Sequence, residues 1–352
     1  MLFFSVVLGL AAIVSASPLS PRNTTRYTNT TTSVTNTTLN GHYLPANITS
    51  RTFFNGSCTA ERLSIRKEWR SLTQVEKMAF VDAELCAMSL PNKTSLPGST
   101  TRFEDFQAAH QRGTMNLYGD IVHYTAQFLP WHRFHLHAHE SVLRNECNYT
   151  GTIPFWDEAI DAASGNFFQS DMWSDQYFGG NGSPVDGCVR TGAFANRTMH
   201  IGPFTQTTDY CFNRNFNYTS GLTLGARANT DACYKHSATD FETFYKCMAS
   251  SPHVAGHRAT GGVMVDVNSS PGDPLFYLHH CFLDRLYWQW QQISGADRIF
   301  AISGNTTVTE PPTGWEKLTL DYELDMSGAY ENVRLEEVMN IQGGYLCYAY
   351  EY

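Results

Sequence analysis

His253–Gln291 reads H-V-A-G-H, then, after three residues, G-G-V-M, then, from Asp273, D-P-L-F-Y-L-H-H-C-F-L-D-R-L-Y-W-Q-W-Q. The first two histidines, His253 and His257, are four apart, which on a helix puts both imidazoles on one face, one turn apart. Two such nitrogens can hold one metal ion, and the His279-His280 pair supplies a candidate third. Behind His280, Leu283, Leu286, Tyr287 and Trp290 recur at helical spacing. Asp284 lies one turn beyond His280, where a carboxylate could orient that imidazole.

A histidine pair four apart on a helix is often incidental. A second cluster upstream changes the balance. His110, His123 and His132 lie in D-F-Q-A-A-H and in D-I-V-H-Y-T-A-Q-F-L-P-W-H-R-F. Two groups of three histidines make two three-nitrogen sites, and imidazole suits copper, zinc, iron and nickel. Neither group brings the carboxylate of a facial triad or the thiolates of a structural zinc site.

F-L-P-W-H-R, the eight residues between His123 and His132, G-G-x-M, and D-P-x-F-Y-L-H-H-x-x-x-D-R-L together resemble the type-3 copper proteins. The similarity is to fungal short tyrosinases and catechol oxidases, over roughly residues 55 to 352. The resemblance implies a mainly α fold, a central antiparallel helix bundle holding a dinuclear copper site, with long loops and a few short β-strands. It implies two copper ions, the first on His110, His123 and His132, the second on His253, His257 and His280. His279 then points away, with ligation by His279 instead of His280 as the alternative. Glu140 matches a family Glu and is expected to orient a ligand, or else to sit in an ordinary buried ion pair. Phe276 should stack near the second copper. Val254, directly after the fourth histidine, and Arg258 are expected to tune the approach of substrate. Val267, three residues beyond the Met of G-G-x-M, is expected at the entrance. P-F-W-D at Pro154–Asp157 resembles a scaffold motif. Y-x-Y at Tyr348 and Tyr350 resembles the motif that closes such domains against an arginine, here Arg66, through a cation–aromatic contact. No cysteine lies between Cys86 and Cys147, so His123 has no local sulfur partner.

The other histidines are read differently. His135 and His139 could share a helical face with His132, but the row extends about two turns, roughly 10 Å, too far for one ion. These two and His137 are read as supporting, packing or exposed residues. His42, His200 and His236 lie in loop-like segments without a role.

Residues 1–16 read as a secretory signal, an apolar run from Leu2 to Val14 ending in V-S-A. That run is too short to span a membrane, and no later stretch qualifies. Twelve N-x-S/T sequons agree with export. Nine cysteines suggest four disulfides and one leftover thiol. Cys58 with Cys347 and Cys86 with Cys147 are plausible pairs, and Cys281 is the candidate odd one. Residues 17–50, rich in Thr, Asn, Ser and Pro, cannot bury a core and are expected to be mobile. The resemblance implies that residues 51–352 form the tyrosinase-like catalytic domain. Net charge is −9 with no basic stripe, so nucleic acid is not an expected partner. The oligomeric state stays open.

Helical periodicity runs from Ala60 to Ala87, with Leu63, Trp69, Leu72, Met78, Phe80, Val81 and Leu85 as its buried stripe. Thr73 and Glu76 form a capping signal inside it. Thr101–Gln111 and Leu129–Leu143 are further helices. Residues 163–235 read as loop tied down by Cys188, Cys211 and Cys233, and short β-like runs lie in 300–325 and 340–352.

The function that follows is a secreted copper oxidase. It turns o-diphenols, and o-aminophenols as a variant, into o-quinones with dioxygen, and hydroxylates monophenols weakly. Val254 cannot hold a water beside the second copper, and Glu242 is the nearest carboxylate that could. Because the chain stops soon after Y-x-Y, the enzyme is expected to need no proteolytic activation. Two competing readings are a hemocyanin-like dioxygen carrier and a histidine-bound zinc hydrolase, the latter without an H-E-x-x-H spacing.

Overall fold

The computed structural model describes residues 56–351 apart from 237–239 and 294–297. The expected signal, the segment 17–50, the sequons up to Asn55 and His42 lie outside the described residues. In chain order the elements are β1 (Ser64–Arg66), α1 (Gln74–Ser89), α2 (Arg102–Thr114), α3 (Phe128–Glu146), α4 (Glu158–Ser164), β2 (Thr198–Met199) and β3 (Tyr210–Cys211). They continue as α5 (Tyr218–Leu224), α6 (Arg227–His236), α7 (Phe241–Ser250), α8 (Pro252–Thr260), α9 (Leu275–Gln292), β4 (Glu323–Leu324), β5 (Val333–Arg334), α10 (Leu335–Met339) and β6 (Tyr348–Tyr350). Among the described residues no helix is long and apolar enough to cross a membrane.

Four helices, α2, α3, α8 and α9, carry the site. Helix α2 starts at a full capping box, in which Thr101 accepts from the Glu104 amide and Glu104 reaches back. Helix α3 has Pro130 in its first turn, where a missing N–H costs nothing. Pro252 opens α8 in the same way. Helix α9 is buried over its whole length, a row of Leu, Phe, Tyr and Trp side chains broken only by residues that find polar partners.

The expected helix from Ala60 is shorter than its periodicity. It begins at Gln74, because the capping box of Thr73 and Glu76 starts it there. Upstream, Ser64–Arg66 instead pairs in parallel with Tyr348–Tyr350, and Trp69 sits in a single 3-10 turn. Trp69 is still buried, but Leu63 and Leu72 are only half-buried. Strand pairing at long range outweighed a local pattern. The stretch 163–235 is not all loop either. Asn217 caps α5, and α6 follows it. Between residues 300 and 325 the only strand is β4.

Disulfides join Cys58 to Cys347, Cys86 to Cys147, Cys188 to Cys211 and Cys233 to Cys247, leaving Cys281 free and buried. The first staples both ends of the domain beside the β1–β6 pair. There Arg66, fully buried, lies 3.8 Å from the Tyr348 ring centre and donates to the Tyr350 hydroxyl and to Glu140. Asp284 of α9 accepts from Tyr348, Tyr350 and Arg133. Arg66→Met leaves Glu140 and Asp284 short of a buried countercharge. It should lower the unfolding free energy by about 3–5 kcal/mol in urea titration. A loss under about 1 kcal/mol, the range of an exposed pair, would contradict the closing role given to Arg66.

Candidate metal centre

Six imidazoles meet where α2, α3, α8 and α9 converge. His110 projects from α2, His132 from α3, His253 and His257 from α8, and His280 from α9. His123 comes from the connection between α2 and α3. All six are buried. The Nε2 atoms of His110 and His123 stand 3.3 Å apart. On the other side the His257 Nε2 lies 3.1 Å from that of His253 and 3.3 Å from that of His280. The two groups face each other, with the His132 and His280 rings stacked at 4.3 Å and those of His123 and His253 at 5.5 Å.

The outward nitrogens explain the inward ones. The Nδ1 of His132 donates to the Phe128 carbonyl at 2.8 Å, and that of His257 to the Met264 carbonyl at 2.6 Å. The His110 Nδ1 faces the Asn268 carbonyl at 3.4 Å. The His123 Nδ1 donates to Asp120 at 2.8 Å. A proton held on Nδ1 leaves a lone pair on Nε2. Burial, and then the neighbouring imidazoles, push His110, His132, His253 and His280 well below the ordinary histidine range, and His257 follows for the same reasons. These five are held neutral, and His110, His123, His132 and His257, each with an acceptor at Nδ1, present Nε2 inward. Lone pairs aimed at one another repel, and a cation between them reverses that. The His132 Nε2 is buried with no protein partner. These donors fit a pair of imidazole-bound ions.

His279 also lies within reach of the second group. Its Nδ1 is bonded to Glu158. Burial, then Asp157 and Asp161, raise the Glu158 carboxyl well above its ordinary range, and burial takes His279 down to about 3. That bond ties the His279 ring to α4, and its Nε2 is buried with no hydrogen-bond partner. Gly256 makes this possible, because a Cβ there would strike both Glu158 and His279. Gly261 and Gly262, at φ 66° and 55°, turn the chain out of α8 against the carbonyls of Asn215 and Asn213, where no side chain fits. That turn brings the Met264 carbonyl to His257.

Several expected roles change. Asp284 gives its oxygens to Arg133, Tyr348 and Tyr350, so it does not orient His280. Glu140 accepts from Arg66 and the Ile153 amide and pairs with Arg144. It is the ordinary buried ion pair; burial pushes its carboxyl up, but the two arginines outweigh that and leave it low. Phe276 is fully buried, its ring 4.0 Å from that of His280 and 5.4 Å from that of His110. It stacks beside the second histidine group as expected, buried beneath the imidazoles. Glu242 pairs with Lys246 at 2.6 Å and does not line the pocket. His135 bonds the Phe106 carbonyl and His139 bonds Glu84, while His137 packs on Tyr345. His200 pairs with Glu104, and His236 closes α6 instead of lying in a loop.

One pocket of about 230 Å³ opens onto His123, His253 and His257. Val254, Arg258 and Val267 line it as expected, and Tyr124, Ala249, Met264 and Val265 join them. Asp120 and Phe128, whose ring lies 4.8 Å from that of His253, escaped the sequence reading. For Asp120 a signal existed: a carboxylate three residues before His123.

The family model for the common central domain of tyrosinase matches residues 100–293. N-acetyl-6-hydroxytryptophan oxidase ivoB of Emericella nidulans is 32% identical over 349 residues, covering 84% of this chain and 94% of that protein. Tyrosinase-like protein phomQ2 of Diaporthe leptostromiformis is 33% identical over 301 residues, covering 81% of this chain and 72% of its own. Among solved structures, a single-site variant of the polyphenol oxidase from Thermothelomyces thermophila matches with a TM-score of 0.72 at 26% identity. That match covers 84% of this chain and 91% of the other.

Two outcomes test the centre. Asp120→Asn should weaken copper binding at the His123 side about 10- to 100-fold, the usual effect of losing a partner behind a ligand, in competition titrations with a chelator. An unchanged affinity would remove Asp120 from that role. The metal-free chain should also be acid-labile. Eight imidazoles, those of His110, His132, His135, His137, His253, His257, His279 and His280, are held neutral in the fold, with His135 pushed down to about 3 and His137 to about 4 by burial. Below about pH 6.5 the unfolded chain binds protons that the folded one refuses, so stability falls with pH, by about 2 kcal/mol per such group at pH 5. The raised carboxyls of Glu68, Glu158 and Asp161 act in the opposite sense but are outnumbered. The melting temperature of copper-free protein should drop between pH 7 and pH 5; a flat or rising profile would contradict the neutral set.

Proposed function

The chain belongs to the tyrosinase family, and from that premise we propose that it oxidises o-diphenols to o-quinones while dioxygen is reduced to water. It is an oxidoreductase with a type-3 pair of copper ions, which the two histidine groups fit. We assign the first ion to His110, His123 and His132, and the second to His253, His257 and His280. The observation that carries the reading is the pocket that reaches both groups through His123, His253 and His257. The relative named for oxidising N-acetyl-6-hydroxytryptophan supports a phenolic ring as the substrate. The same chemistry extends to o-aminophenols. Four disulfides fit an oxidising compartment, and we read the chain as exported.

When bound, the copper pair supplies the two-electron exchange with dioxygen. Each o-diphenol gives up two electrons and two protons, and two of them take one dioxygen to two waters. The chain's own part is positioning. Val254, Val265, Val267 and Met264 give the ring an apolar seat that displaces water. Phe276 and Phe128 hold the imidazoles from behind, so a ring entering the pocket meets fixed nitrogens.

Monophenol hydroxylation is the weaker activity in this reading. A monophenol, with a pKa of about 10, arrives protonated and needs a base. Val254 offers none, no carboxylate lines the pocket, and Glu242 is committed to Lys246. Catechols are more acidic and depend less on such a base.

Copper-loaded protein should contain two coppers per chain and consume dioxygen with 4-tert-butylcatechol. His132→Ala and His257→Ala should abolish this; His137→Ala should retain most of it. Tyrosol should react about 100-fold more slowly than the matching catechol, the low end of what a positioned base contributes. Comparable rates would overturn the weak-monophenolase reading, and no dioxygen uptake with two coppers bound would overturn the oxidase.

A further inference from the structure

A second groove lies beside the catalytic pocket, on the outer side of α2. Its volume is about 460 Å³, against about 230 Å³ for the pocket itself. Ala108, Arg112 and Met115 recur at helical spacing and face it, while His110 on the same helix faces inward. Leu96 and Leu117 add apolar wall, and Thr205 and Thr207 add hydroxyls from the opposite side.

Phe204 bridges the walls of the two spaces. The Phe204 amide donates to Asp266 at 2.6 Å, and Asp266 sits between Val265 and Val267 on the catalytic rim. The Phe204 carbonyl accepts from Gln111 of the groove at 3.0 Å. The ridge is thus bonded to both walls, and its ring is 67% exposed. Of the twelve exposed large hydrophobics among the described residues, Met115, Leu117, Tyr124, Phe204, Val265 and Val267 border these two spaces. Half of the exposed apolar side chains gathered at one place mark a binding surface rather than chance.

Charge then defines the ligand. The pocket has one permanently charged lining residue, Arg258, and the groove has one, Arg112. Both are exposed and neither has an ion-pair partner among the described residues; the one carboxylate at the rim, Asp266, is taken up by the Phe204 and Asn268 amides. We propose that pocket and groove take one elongated substrate: a catechol ring at the imidazoles, an apolar linker over Phe204, and an anionic end, a carboxylate, at Arg112. Its class is a phenol conjugated through a linker to an acid, with no free ammonium group. The proposal rests on the o-diphenol reading for its reactive end only.

The test uses 3,4-dihydroxyphenylpropanoic acid extended by zero to four glycines, each ending as carboxylate or as amide. Dioxygen uptake gives kcat/KM relative to 4-methylcatechol. The carboxylate form should gain over the amide as the tail lengthens, by about fivefold at the best length, the scale of one exposed ion pair. In Arg112→Gln the gain of the long acids should disappear, while Arg112→Lys restores most of it. The preference for the shortest acid, which reaches only Arg258, should persist. Calorimetric binding of the same tails on a plain phenyl ring reads the groove independently of turnover and should follow the same pattern. Equal values for acid and amide at every length, or a length-dependent gain untouched by Arg112→Gln, would overturn the proposal. Absent dioxygen uptake with 4-methylcatechol, together with tail- and Arg112-dependent phenyl binding, would instead overturn the oxidase reading and leave the groove standing.

Discussion

Imidazoles crowded into an apolar interior are tolerable only while they stay uncharged, and only if each outward nitrogen has an acceptor. Most of the chain around the centre answers that demand. Helix α3 turns the Phe128 carbonyl toward His132, and Asp120 caps the turn that presents His123. The Gly261-Gly262 turn exists to bring the Met264 carbonyl within 2.6 Å of His257. Each acceptor fixes a tautomer, and each tautomer points a lone pair inward. The motif G-G-V-M is therefore part of the ligand geometry although none of its side chains need touch an ion.

A layer of buried charge lies behind the imidazoles and acts by holding helices rather than by bonding rings. Arg133 of α3 reaches Asp284 of α9, Gln291, and the carbonyls of Val338 and Met339. Asp284 in turn collects the two hydroxyls of β6. Since α3 carries His132 and α9 carries His280, this network sets the spacing between the two stacked rings. Buried ions of this kind stabilise little on balance, but removing one partner is costly. Their value here is registry: they make one relative placement of α3 and α9 much better than its neighbours.

The copper motifs were legible because their spacing is local. His253 and His257 share a helical face whatever the rest of the chain does, and F-L-P-W-H-R starts a helix by its own proline. The pairing of Arg66 with Tyr348 and Tyr350 was legible only through resemblance, since nothing local links residues nearly 300 apart. The start of α1 was misread because Leu63, Trp69 and Leu72 mimic helical periodicity. In the fold Ser64–Arg66 is claimed by β6, and the real helix waits for its capping box. Asp284 was misassigned for a related reason. Its position one turn past His280 is right for a ligand's partner, but side-chain direction, not sequence offset, decided that it faces Arg133. Arg258 and Val267 were placed at the catalytic entrance through resemblance, whereas the second groove and Arg112 could not be read, because its walls come from α2, the stretch before it and the 202–207 turn.

The pocket's composition says where selectivity must arise. Its rim is aliphatic, and beyond the imidazoles it offers few groups that a ring hydroxyl could bond. An apolar seat discriminates weakly, about 1–3 kcal/mol for a methylene, whereas a site built around a polar contact rejects a ligand lacking it far more strongly. The reacting hydroxyls are common to every catechol and so cannot distinguish one from another. Discrimination among catechols therefore falls on what the ring carries. Around this pocket the polar groups able to read a substituent are Ser270, whose buried hydroxyl has no partner, Tyr124, Arg258 at the rim and, past Phe204, Arg112. Under the o-diphenol reading, that surface can favour catechols bearing an acid, with the reading done outside the reactive centre.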